Sequence, residues 1–206
     1  ECSIPAVPNV KAGRFNRILC YHSKVMCLWS KSQEWMGGMN DFSRAVEKNF
    51  RNASYDHDRG ILKIEGSRFV LLLSDSFVSV QKRMESLIGF EAAGMLLYEA
   101  YKEAGRTSGD LVARTTGDQT ARTIKTILTA LGFIGIQGCG KWEIREYDRS
   151  KTIFIVRDSP IAEAYGKSER AVCHPIRGVI GGFAEFFTGE KRECLETLCK
   201  AKGDDY

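Results

Sequence analysis

Two thiols and a carboxylate near the C-terminal end, Cys173, Glu196 and Cys199, are the residues of this chain best suited to hold a metal ion. Zinc takes four ligands in a tetrahedron, prefers thiolate and imidazole, accepts a carboxylate oxygen, and in a structural site keeps no open position. Two cysteines and one glutamate are one ligand short. The fourth vertex falls to a cysteine beyond position 206, to water or to His174, although His174 adjoins Cys173 and is poorly placed to share its metal. Taken alone, the cysteines read as ordinary small buried residues, since free Cys is among the most buried types.

The local geometry sets a condition on the metal reading. Glu196 and Cys199 are three residues apart, so they share a face on a helix but point oppositely on a regular strand, while Cys194, Glu196 and Leu198 alternate as a strand does. One metal held by both requires a bulge or turn between Glu196 and Cys199; a straight strand excludes it. Cys194 is then left over, either a packed residue or a reactive thiol, and nothing nearby in sequence lowers its pKa.

Other chemistry is thinly represented. Histidine occurs only at positions 22, 57 and 174, and no Ser-His-Asp set or metal-plus-base arrangement stands out, which argues against an enzyme. The glycines at 132, 135, 138 and 140 follow a helical stretch and precede a strand, the reverse of a dinucleotide fingerprint, so they read as loop geometry. Cys139, between Gly138 and Gly140, is a sensor thiol or a small residue in a tight turn, and the turn is the simpler account.

At 206 residues, 43% hydrophobic and 27% charged, the chain can bury a core without needing a disulfide or metal simply to fold. The net charge of +4, from 30 basic and 26 acidic residues, is spread along the sequence and forms no nucleic-acid-gripping tail. Seven cysteines, at 2, 20, 27, 139, 173, 194 and 199, are too few and too irregular for a disulfide framework and point to a reducing, cytoplasmic setting. The run Phe69 to Leu73 falls far short of the ~20 apolar residues of a membrane span. A first residue other than Met implies a processed or trimmed start.

Positioning these groups requires an α+β architecture. Residues 1–57 read as an N-terminal helical extension, with an amphipathic helix from Arg14 to Trp29, a Gly37-Gly38 break and a second helix to Phe50. Cys20 and Cys27 then share a face for core or dimer packing. Residues 58–206 form the body. Ile61–Ile64 and Ser67–Leu73 make a hairpin at Glu65-Gly66; Ser74, Asp75 and Ser76 cap a helix that Gly105 stops; a second helix covers Asp118 to Leu131. Trp142–Tyr147 and Thr152–Val156 make a second hairpin, and a glycine-rich helix spans 174–188. Gly178, Gly181 and Gly182 cost that helix stability and make sense where its backbone lies against another segment. The order predicts an antiparallel sheet with packed helices.

Across residues 58–206 the chain resembles the 4-vinyl reductase domain family. The resemblance rests on Gly60-Ile61-Leu62 to Leu73, on Gly89, Ala92, Ala93, Gly94 and Tyr98, on Asp158-Ser159-Pro160, and on Cys173, Glu196 and Cys199 with Gly178, Gly182, Gly189 and Gly203. It implies a fold similar to vesicle-tethering complex subunits, zinc bound by Cys173, Glu196 and Cys199 with a further cysteine at position 207, a hydrophobic ligand pocket, and a homodimer. The stand-alone archaeal members, termed hydrocarbon-binding, are the nearest in organisation. Two positions depart from the pattern: phenol-sensing members carry a Trp where this chain has Val156, and many place an aromatic residue where it has Cys139. Without that Trp, a ligand at Val156 gains only burial, roughly 25 cal/mol per Å².

The leading expectation is therefore a zinc-stabilised binding or sensor domain for a small hydrophobic molecule, regulatory and acting through dimer rearrangement. A thiol and zinc redox sensor using Cys139 and Cys194 is the alternative. A role beside tetrapyrrole vinyl reduction, implied by the family's name, is the third. No winged helix is recognisable in residues 1–57, so direct nucleic-acid binding is not expected.

Overall fold

The computed structural model describes residues 15–21, 53–64, 66–116, 134–135, 137–147 and 151–204. The expected helices at 30–50 and Asp118–Leu131, together with Cys2 and Cys27, lie outside the described residues. The architecture is α+β, with two antiparallel sheets and packed helices, as the element order predicts. None of the described helices is long and apolar enough to cross a membrane.

The larger sheet has the order β5-β6-β1-β7, formed by β1 (Phe15–Tyr21), β5 (Lys141–Tyr147), β6 (Lys151–Arg157) and β7 (Glu193–Leu198). Strand β1 corrects the sequence reading twice. Residues 15–21 are not helical, and they lie inside the body's sheet between β6 and β7, so the division at 57/58 does not set them apart. A strand with neighbours on both sides shows no clean alternation, and a short apolar run of this kind cannot be told from a helix by periodicity. The gap between β6 and β7, absent from any local signal, decides the outcome.

The hairpins form where expected. The smaller sheet is β2-β3-β4, with β3 (Ile61–Ile64) and β4 (Ser67–Phe69) turning at Gly66 and β2 (Ser54–Asp56) added at the edge. Strands β5 and β6 pair from Lys141↔Arg157 to Tyr147↔Thr152, with a bulge between Ile144 and Glu146.

Helix α1 (Ser74–Ile88) starts from Leu73 with no side-chain cap, so the expected Ser and Asp caps are not used. Gly89, at φ 83°, ends it, and α2 (Phe90–Thr116) begins at once. Gly105 is therefore not a stop: it lies inside α2 where that helix crosses α4 (His174–Thr188), and a Cβ there would sit 3.0 Å from the Gly182 and Val179 Cα atoms. A Cβ on Gly178 would likewise come within 2.9 Å of the Tyr101 Cβ. The glycines of α4 thus serve close backbone approach, as expected from the sequence, and the α2–α4 pair is the most extensive packing among the described elements.

A buried ionic knot locks this crossing. The Lys102 Nζ lies 2.8 Å from the Glu185 Oε1, the Arg106 guanidinium bonds the same carboxylate, and the Arg192 amide donates to it at 3.0 Å. Lys102, Glu185 and Arg192 are all buried. Burial pushes the Glu185 carboxyl up, but Lys102, the Arg192 amide and Arg106 outweigh it and hold the group below the usual carboxylate range. The start of α4, where Cys173 sits, is fixed against α2 as a result.

Candidate metal centre

Three elements deliver the donors. Cys173 is the residue before α4, with φ −83° and ψ 43°, and its side chain makes no cap bond. Glu196 is on β7, and Cys199 follows that strand, leading into a single 3₁₀ turn (Lys200–Lys202) closed by Gly203 at φ 81°. The condition set by the sequence is met. Arg17 pairs with Leu198 while Ile18 pairs with Glu196, leaving Thr197 as an extra residue in β7. A bulge of this kind resets the alternation, so Cys199 comes to the side of Glu196. One sulfur or oxygen from each of Cys173, Glu196 and Cys199 lies within 4.8 Å of the others.

The surroundings hold the donors in place. The Glu196 Oε2 accepts from the Cys173 backbone N–H at 2.9 Å, while its Oε1 is buried with no hydrogen-bond partner. The Cys199 amide donates to the Asp204 Oδ2 at 2.8 Å, and the Lys202 amide donates back to the Cys199 carbonyl at 3.0 Å. Ser159, in the Asp158-Ser159-Pro160 motif, caps α3 (Pro160–Tyr165) by accepting from the Ala162 amide, and its Oγ stands 3.4 Å from the Cys173 Sγ. Gln81 of α1 donates to the Val172 carbonyl at 3.0 Å, pinning the residue before Cys173. Ser159, Gln81 and Asp204 were missed as site residues; only the Asp-Ser-Pro cap left a sequence signal.

Protonation follows from burial and mutual contact. Cys173 and Cys199 are fully buried. Burial drives the Cys173 thiol and the Glu196 carboxyl well above their ordinary ranges. The Cys199 thiol goes the other way, down to about 5, through a hydrogen bond from Cys173, against its own burial and with help from the Val172 and Ala201 backbone N–H groups. A thiolate is already favoured at Cys199 and an unpaired carboxyl oxygen faces it. Both are what a cation would require, so the donor set fits zinc chemistry.

The remaining candidates fall elsewhere. His174 is buried against α2, its ring edge-on to Phe90 at 5.3 Å, and it does not join the donor group. Burial lowers its pKa to about 4. Cys139 sits in a turn between Gly138 and Gly140, both at positive φ, where its carbonyl accepts from the Trp142 indole at 2.9 Å; burial raises its thiol pKa, opposite to what a reactive sensor thiol needs. Cys194 is neither a loose nor a merely packed thiol: it is disulfide-bonded. Val156 lies in the apolar core with Trp142 and Phe154.

The described residues thus form an α+β domain in which a bulged strand and a glycine-tight helix pair bring two cysteines and a glutamate together in a buried cluster. Residues 152–206, which include all three donors, match the 4-vinyl reductase domain family. The fold is similar to the solved structure of the phenol-responsive sensory domain of the transcription activator PoxR with phenol, at a TM-score of 0.67 and 16% identity, covering 84% of this chain and 87% of that one. No curated protein matches the chain. The resemblance drawn from the sequence holds in family for the C-terminal residues and in fold for most of the chain.

Proposed function

We propose that this chain is a zinc-stabilised domain that binds or senses a small hydrophobic molecule and works as a homodimer. The observation that carries the metal half is the convergence of Cys173, Glu196 and Cys199 around a partnerless, buried Glu196 Oε1. A zinc ion there would supply a cross-link between the start of α4 and the end of β7. Cys199 offers its thiolate, and Cys173 and Glu196 must shed the protons that burial keeps on them, so affinity rises with pH.

Support for the sensor half is the family match over residues 152–206 together with the shared fold of a phenol-responsive domain. Val156 departs from phenol recognition, since an apolar side chain offers no partner for a hydroxyl, and an apolar ligand suits this chain better. The dimer reading draws on the apolar surface of residues 70–96, where Leu71, Leu73, Leu87 and Met95 are exposed. Such a patch, contiguous in sequence, is costly in water unless a partner covers it.

Metal analysis of purified protein tests the first half. About one zinc per chain is expected, as for a closed structural site, with loss in Cys173→Ser and Glu196→Gln variants that keep wild-type circular dichroism. A zinc-free wild type of undiminished stability would overturn it. For the second half, a thermal-shift series with small aromatic and aliphatic molecules should raise Tm, a ligand at 100 times its Kd adding about 2.7 kcal/mol. A flat series across both chemical classes would sink the sensor reading, and a monomer by sedimentation the dimer.

A further inference from the structure

Strand β1 is the template for the bulge that builds the donor cluster. The register slips between Arg17 and Ile18, opposite Thr197, and that slip turns Cys199 to the side of Glu196. Beside this slip, Cys20 is the direct partner of Cys194 in the β1–β7 ladder. Cys194 is disulfide-bonded, while Cys139, Cys173 and Cys199 are free. Its backbone N–H is given to the Tyr98 hydroxyl at 3.2 Å, on α2, and not to the ladder. That marks Cys20 and Cys194 as a non-hydrogen-bonded pair, whose Cα atoms stand about 4.5 Å apart in antiparallel sheets. The separation falls inside the roughly 4.4–6.8 Å that a disulfide spans.

We propose that Cys20 and Cys194 form a redox-cleavable staple that holds β1 against the bulged strand, and that opening it weakens metal binding at Cys173, Glu196 and Cys199. The second clause rests on the metal reading above; the first does not. Cleavage is thiol–disulfide exchange with a protein or small-molecule dithiol. One thiolate of the dithiol attacks a sulfur of the pair, breaking the S–S bond and forming a mixed disulfide; its second thiol resolves that bond. Two electrons and two protons pass to Cys20 and Cys194, which become thiols, and the dithiol leaves as a disulfide. Cys194 is 1% exposed, so exchange waits on an opening of β1.

The staple acts through position and not through ligation. Once cut, β1 is held only by its ladders to β6 and β7, and release of the strand removes the register that displaces Thr197. Glu196, two residues from Cys194, then returns to plain alternation with Cys199 on the opposite side. Such outer support of a metal site is worth roughly 10- to 100-fold in affinity.

Three measurements on the full chain decide this. Peptide mapping without reductant should recover a Cys20–Cys194 cross-link; Cys194 linked to another cysteine, or free, overturns the staple. Hydrogen exchange should show residues 15–21 protected in the oxidised protein and less so after phosphine reduction, and unchanged protection would overturn the strand-holding role. Titration with zinc alone should give an affinity about ten-fold weaker in Cys20→Ala than in the oxidised wild type, with reduction weakening the wild type alike and leaving Cys20→Ala unmoved. Equal affinities overturn the coupling. If no form binds zinc, it is the metal reading that fails, and mapping and exchange still decide the staple.

Discussion

Replacing Gly182 with alanine tests the closeness of the α2–α4 crossing that positions Cys173. A Cβ at this site would collide with the Lys102 carbonyl oxygen and come 2.8 Å from the Arg106 backbone nitrogen. Ordinary contact begins at 3.4 Å, so the nitrogen alone demands several tenths of an ångström, and the carbonyl demands more. Both obstacles are backbone of a 27-residue helix and cannot swing aside as a side chain can. Opening the crossing also stretches the 2.8 Å Lys102–Glu185 pair, whose members are buried. Against this, alanine gains about 1 kcal/mol of helix propensity over glycine. Overpacking costs of about 1–3 kcal/mol, with loosening of a buried ion pair in addition, leave a net loss of about 3 kcal/mol. The neighbouring Gly181→Ala is the control: its Cβ would meet the Tyr98 hydroxyl at 3.1 Å and otherwise only ordinary contacts, so its cost is expected to stay within about 1 kcal/mol. Urea unfolding followed by far-UV circular dichroism reads both, with the slope m unchanged. If Gly182→Ala is as stable as Gly181→Ala, the backbone-contact argument is wrong.

Glu185 sets part of the acid limit. Its folded pKa lies below the unfolded value of about 4.3, so its contribution is present above that pH and is lost as pH falls through the folded value. Glu185→Gln should flatten the loss of stability below pH ~5, and should cost about 3–5 kcal/mol at pH 7 by leaving the Lys102 ammonium buried without its carboxylate; an unaltered acid limb in chemical denaturation would refute this. Gln81→Leu keeps the side-chain volume but strands the Val172 carbonyl, for an expected loss of about 1–3 kcal/mol, together with weaker zinc retention at the adjacent Cys173. Unchanged stability and metal content would show that Gln81 does not hold the site.

Much of the local structure was legible because it has local causes. The β3–β4 and β5–β6 hairpins follow from alternation and turn residues, and α4 was bounded correctly at 174–188 despite its glycines. The spacing of Cys173, Glu196 and Cys199 named the donor set and even required the irregularity later found at Thr197. Chain order also specified the α+β class.

Tertiary structure decided what local pattern cannot carry. Residues 15–21 are a strand because β6 and β7 both offer them ladders, a fact located more than 130 residues away in sequence. Gly105 looked like a helix stop and proved to be a contact, since its meaning depends on α4 crossing above it. The opposed protonation of Cys173 and Cys199, two chemically identical thiols, follows from which backbone N–H groups and which carboxyl surround each. Spacing determined which residues meet; the folded environment alone determined which carries the proton and which is already a ligand.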